Sequence, residues 1–139
     1  MAIPDVNDFI SYRIQKAEEV YEAAVILYNA GQWNSTINRL YYACFYVASA
    51  LLLKRGIGAK SHAGVIAQFS RCIVRKGEMT ADDYRVYSKL LNWRTKGDYS
   101  DMFDFTKDDV DDVFQPTRNF IDKAIVLINN DDNTNKSHE

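Results

Sequence analysis

Apolar residues return every three or four positions along most of this chain, and the breaks in that rhythm divide it into five segments. Ile10, Ile14, Ala17, Tyr21, Ala24 and Tyr28 are spaced four, three, four, three, four, which predicts a first helix from about Asn7 to Ala30 with Gly31 as its stop. A second starts near Asn34 or Ser35. Its stripe is Ile37, Tyr41, Cys44, Ala48 and Leu51, and Leu40, Phe45 and Leu52 widen the apolar face enough to predict a central helix, ending at the loop Gly56 to Gly58.

Ser61 is placed to cap a third helix carrying Val65, Ile66, Phe69, Cys72 and Ile73, which closes at Gly77 after a basic last turn. Thr80 with Asp83, and Thr106 with Asp109, repeat one N-terminal device: a hydroxyl and a carboxylate three residues on satisfy backbone donors that a helix start leaves bare. They predict a fourth helix with Tyr84, Tyr87, Leu91 and Arg94 in line, and a fifth with Val110, Val113, Thr117, Phe120, Ala124 and Leu127. Pro116 lacks a backbone donor and should kink the fifth helix or shift its start. From Asn129 onward NNDDNTNKSHE holds no apolar residue. The expected organisation is therefore one domain over 1–128 and a disordered polar tail over 129–139. Short connections make the predicted fold all-α, an up-and-down bundle of four to five helices.

Composition agrees with that picture. At 139 residues, 47% hydrophobic and 26% charged, with six glycines and two prolines, the chain suits one helical core better than a turn-rich β-fold. Cys44 and Cys72 lie in apolar runs without CxxC or metal-ligand spacing, so they read as buried thiols in a reducing cytosol. The start MAIPDVNDF lacks the basic lead and apolar run of a signal peptide, and the longest apolar run, Leu40 to Leu53, falls short of the roughly 20 residues of a membrane span. A cytoplasmic protein without membrane contact is expected. Trp33, Trp93 and the many tyrosines exceed what a small core needs, which predicts a homodimer.

A net charge of −2 argues against indiscriminate nucleic-acid binding, but its distribution is uneven. Lys54, Arg55, Lys60, Arg71, Arg75 and Lys76 fall together, followed by Asp98, Asp101, Asp104, Asp108, Asp109, Asp111 and Asp112. The first set could gather into a phosphate-attracting patch or form a solvated face. The aspartates suit a helix start, where carboxylates stabilise the backbone dipole, and no metal site is assigned to them. The loop GIGAKS is not a phosphate loop, because Ala59 stands where the glycine before the lysine is required and no strand precedes it.

Three places could carry chemistry. On the second helix Asn38, Tyr42 and Ser49 follow one line and Arg39, Tyr42 and Tyr46 an adjoining one, so polar groups share a face. A guanidinium among phenols can pair with a carboxylate, stack on a ring or bind phosphate bidentately. At the end of the fourth helix, NWRTKGDYSD projects Arg94 from the core-facing stripe, and Lys96, Gly97, Asp98 and Tyr99 read as a polar turn. His62 sits beside the Ser61 cap, where the helix dipole would lower its pKa and make it an acid or base near neutrality.

The order NRLYYACFYVASALLLKRGI, then KSHAGV, then RTKGDYSD resembles the small stand-alone prokaryotic HEPN-domain proteins over roughly Asp8 to Leu127. The resemblance implies a helical bundle, frequently a homodimer, encoded beside a minimal nucleotidyltransferase in toxin-antitoxin pairs. Many members are metal-independent ribonucleases in which an arginine is followed after four to six residues by a histidine. The histidine handles the proton of the ribose 2′-hydroxyl and the arginine stabilises charge on the scissile phosphate. Arg94 matches that arginine; five residues on stands Tyr99, and neither Ser100 nor Asp101 is a histidine.

The resemblance thus implies a binding module for a nucleotidyltransferase partner and for RNA or nucleotide, without a cofactor. Asn38, Arg39, Tyr42, Arg94, Asp98 and Tyr99 would line its cleft, and Tyr99 would be a candidate acceptor of a nucleotidyl group. The alternative is an endoribonuclease using Arg94 with His62 or Tyr99. A third reading is a structural bundle whose polar stripe fixes helix register.

Overall fold

A computed structural model describes residues 5–99 and 103–137. Among these residues there are five α-helices and no strand: α1 (Val6–Asn29), α2 (Trp33–Lys54), α3 (His62–Phe69), α4 (Ala81–Tyr99) and α5 (Lys107–Ser137), with a π-helical segment, Ser70–Val74, continuing α3. The up-and-down bundle is as the apolar rhythm predicts. α2 is its axis and packs on α1, α3, α4 and α5. Its wide stripe explains why, since Ile37, Leu40, Tyr41, Cys44, Leu51 and Leu52 are buried and Ala43, Ala48 and Ala50 let neighbouring backbones approach.

The helix ends follow from local chemistry. Asp5 and Asp8 form a capping box that starts α1, each side chain accepting from the other's backbone N–H at 3.0 Å. Thr80 with Asp83, and Thr106 with Asp109, do the same for α4 and α5. Gly31, with φ +72°, closes α1: its N–H reaches Tyr28 O and that of Gln32 reaches Leu27 O, a pairing that needs the left-handed backbone glycine adopts freely.

α4 departs from expectation. The predicted polar turn Lys96 to Tyr99 is helical. Asn34 explains the difference, donating to Phe103 O at 2.9 Å and accepting from Phe105 N at 2.8 Å, so the following segment is drawn back over the helix end. Gly97 permits that approach: a Cβ there would lie 3.2 Å from the Phe105 ring. Ser100 and Asp101 lie outside the described residues, as does the Tyr99 side chain.

α5 contains Pro116 without a shifted start, and Thr117 Oγ1 donates to Val113 O at 2.7 Å beside it. The helix continues past Asn129, where polar composition predicts the tail, and Asp131 pairs with Arg55. Arg55 also holds Glu78 through two bonds at 2.7 and 3.0 Å, so it is committed to the fold instead of a phosphate-attracting patch. Arg118 joins α5 to α1, donating to both Glu18 oxygens at 3.0 and 2.8 Å while lying over the Tyr21 ring.

The tryptophans are likewise occupied inside the chain, Trp33 against Tyr28 and Trp93 against Phe105. Asp111 accepts from Tyr28 and Lys107, and Asp109 is a cap. No helix of the described residues is long and apolar enough to cross a membrane.

Candidate functional site

α2 and α4 pack against each other, and a chain of polar contacts links Arg39 and Arg94. Arg39 Nη1 donates to Asn38 Oδ1 at 3.2 Å, and Asn38 Nδ2 donates to Asp98 Oδ2, also at 3.2 Å. That same carboxylate oxygen lies 3.8 Å from Arg94 Nε, an ion pair too long for a hydrogen bond. Arg94 Nη1 donates to the Tyr42 hydroxyl at 2.9 Å. Asn34, Ser35, Asn38, Arg39, Gly97 and Asp98 line a polar cleft of about 340 Å³. Arg94 stands behind Asp98, not on the lining itself.

Arg94 is held but not saturated. Its guanidinium carbon lies 5.1 Å from the Tyr41 ring centre and 5.5 Å from that of Tyr42, and the side chain is only 15% exposed. Among the described residues its buried Nε has no hydrogen-bond partner. A buried donor of this kind is costly to leave unmatched, and the Asp98 carboxylate 3.8 Å away gives it an ion pair without a hydrogen bond.

His62 reaches the same aromatic cluster from the start of α3. Its ring stacks on Phe45 at 4.3 Å, lies 5.8 Å from both Tyr41 and Tyr42, and its Nδ1 is 2.5 Å from the Tyr41 hydroxyl. The fold thus brings His62 and Arg94 against the same two tyrosines. Burial pushes the Tyr41 phenol up to about 12, so it keeps its proton at neutral pH. The short contact ties the His62 ring to Tyr41 through Nδ1 and leaves Nε2 as the ring nitrogen outside it.

Burial, with Arg94 adding a like charge, holds the His62 pKa below the usual histidine value. The folded protein therefore binds a proton less readily than the unfolded chain. Stability is full above the unfolded value of about 6.5 and falls as pH drops through the lowered folded one. Thermal melts from about pH 8 to about pH 5 should show this loss, and His62→Gln should flatten it. A variant as pH-sensitive as the parent over that interval would contradict the assignment.

Of the residues singled out from sequence, the structure brings together Asn38, Arg39, Tyr42, Arg94 and Asp98, and sets His62 beside them. The position of Tyr99 is the last residue of α4. Tyr41 was legible only as a core residue. Its hydroxyl nevertheless fixes His62, and the paired tyrosines of NRLYYA are the one sequence signal that could have pointed to it.

The structure is thus a helical bundle with a polar cleft where its second helix meets the end of its fourth. The HEPN domain model matches residues 10–128, and the chain belongs to the HEPN family. It is similar to a "UPF0332 protein" of Thermotoga maritima, 34% identical over 86% of this chain and 90% of that one. Two proteins of Methanocaldococcus jannaschii carrying the name "Putative toxin" are also similar. One is 33% identical over 86% of this chain and 88% of its own, the other 29% identical over 80% and 76%.

Proposed function

We propose that the chain is a toxin-type HEPN module that binds the phosphate of RNA or of a nucleotide at the α2–α4 cleft. In this reading it works in the cytoplasm, assembles as a homodimer and has a minimal nucleotidyltransferase as its protein partner. The observation that carries the phosphate-binding part is the half-satisfied Arg94, gripped by Tyr42 and stacked on Tyr41 with a buried Nε donor unmatched among the described residues. Arg39 supplies a second, exposed cation at the cleft. Such geometry suits a tetrahedral anion, which accepts several hydrogen bonds at once, and it needs no metal or cofactor. The names of the archaeal relatives support the toxin assignment.

Size-exclusion chromatography with light scattering tests the assembly. The protein alone should run at twice its monomer mass, and a minimal nucleotidyltransferase should co-elute with it. With ATP added, a nucleotidyl adduct on Tyr99 is expected, its phenol oxygen bonding to the α-phosphorus as pyrophosphate leaves and the phenol proton passes to solvent. A monomer at micromolar concentration, or separate elution, would contradict the assembly. Unmodified Tyr99 beside a working transferase would remove its acceptor role.

A second reading, a metal-independent endoribonuclease using Arg94 with His62, is favoured by the placement of both residues on Tyr41 and Tyr42. With Nδ1 against the Tyr41 hydroxyl, proton transfer in this reading falls to Nε2 of His62. RNA cut in EDTA by the parent protein and left intact by Arg94→Ala would establish this reading in place of the first.

A further inference from the structure

A second cationic crevice lies further along the same face of α2. Arg13 of α1 donates to Ser49, and with Lys60, from the loop before α3, it rims a crevice of about 190 Å³ floored by Leu52, Ile57 and Val65. Ser49 is ten residues beyond Arg39, about 15 Å along the helix axis. Steps of three or four residues run from 38 to 42, from 42 to 45 and to 46, and from both of these to 49, so the five share one face. Between the cationic ends stand Tyr42, Phe45 and Tyr46, each only partly buried, with ring centres 5.6 to 6.3 Å from one another and His62 stacked on Phe45.

That order, cation, aromatic rings, cation, matches one kind of ligand. A single strand exposes base faces that stack on aromatic rings and phosphates that seek cations, whereas a duplex hides its base faces. A free nucleotide would reach one end only.

Building on the reading of the α2–α4 cleft as a phosphate site, we infer that the Arg13–Ser49–Lys60 crevice is a second phosphate subsite, and that Tyr42, Tyr46 and His62, the last backed by Phe45, carry stacked bases of one single-stranded RNA running between the two. Lys60 is exposed, so Lys60→Ala leaves the core untouched.

Fluorescence anisotropy with an unstructured RNA oligonucleotide, paired with a titration using AMP, tests the subsite. Lys60→Ala and Arg13→Met should each weaken oligonucleotide binding severalfold and lower the magnitude of its salt slope by about 0.7, the value for one single-strand phosphate, while AMP binding stays unchanged. Unchanged oligonucleotide binding in both variants, with Arg94→Met still impaired, would overturn the subsite and leave the cleft standing. Parental oligonucleotide binding by Arg94→Met would instead remove the cleft reading on which the subsite rests. Loss of self-association in Lys60→Ala or Tyr46→Ala, without loss of RNA affinity, would assign the strip to a second copy of the chain.

Discussion

Replacing Arg94 by methionine is expected to weaken binding of a short single-stranded RNA by roughly 10- to 100-fold, the loss of one or more charge-assisted hydrogen bonds. Methionine retains an apolar stem against the Tyr41 and Tyr42 rings, so packing is largely kept while the planar donors go. Asp98 keeps its bond from Asn38 and is partly solvated, so the variant should fold. Arg94→Lys should recover only part of the affinity, because an ammonium is a point charge and cannot offer two parallel donors. Equilibrium titration at fixed salt, with circular dichroism to check folding, measures both variants. Parental affinity in a folded Arg94→Met protein would rule out a phosphate-binding role for the arginine.

The largest stability effect should come from Phe120→Ala. Phe120 is fully buried where α5 meets α3 and α4, its ring 5.3 Å from Phe69 and 5.7 Å from Tyr87. Truncation removes the ring's transfer free energy and leaves a cavity that three helices cannot jointly close, a cost of about 3–5 kcal/mol. A domain of this size is stable by roughly 5–15 kcal/mol, so the variant should unfold at much lower urea or fail to fold near body temperature. A loss below about 1 kcal/mol would show that this aromatic junction does not hold the helices together.

The sequence made the helices readable because burial, caps and glycine stops all act over a few residues. Thr80 with Asp83 needs no distant partner, and neither does Gly31. The end of α4 was misread for the opposite reason. Gly97 and Asp98 look like turn punctuation, but Phe105 and the side chain of Asn34, far off along the chain, pack over them and keep the helix going. The pairing of Arg55 with Glu78 and Asp131, and of Arg118 with Glu18, was likewise beyond local reading, since these carboxylates lie 23 to 100 residues away; only Asp122, four residues from Arg118, is near.

The candidate site divides along the same line. Asn38, Arg39 and Tyr42 share a helix face, so spacing alone groups them. That Arg94 would rest on Tyr41 and Tyr42 depends on how α4 crosses α2, and that His62 would rest on the same pair depends on where α3 begins after its loop. Neither crossing is encoded in a spacing. Tyr41 shows the limit most plainly: periodicity assigns it to the core, correctly, yet its one polar atom is what holds the ring of His62 through Nδ1.

Phosphate binding at this cleft depends above all on Arg94 meeting an anionic oxygen of the ligand. NMR of arginine side-chain Nε–H groups, recorded as unlabelled single-stranded RNA is added to the labelled protein, observes that side chain directly. The Arg94 resonance should shift in step with binding, while those of Arg55 and Arg118, already engaged by carboxylates, stay in place. RNA binding that shifts other arginines and leaves the Arg94 signal unmoved would contradict the account.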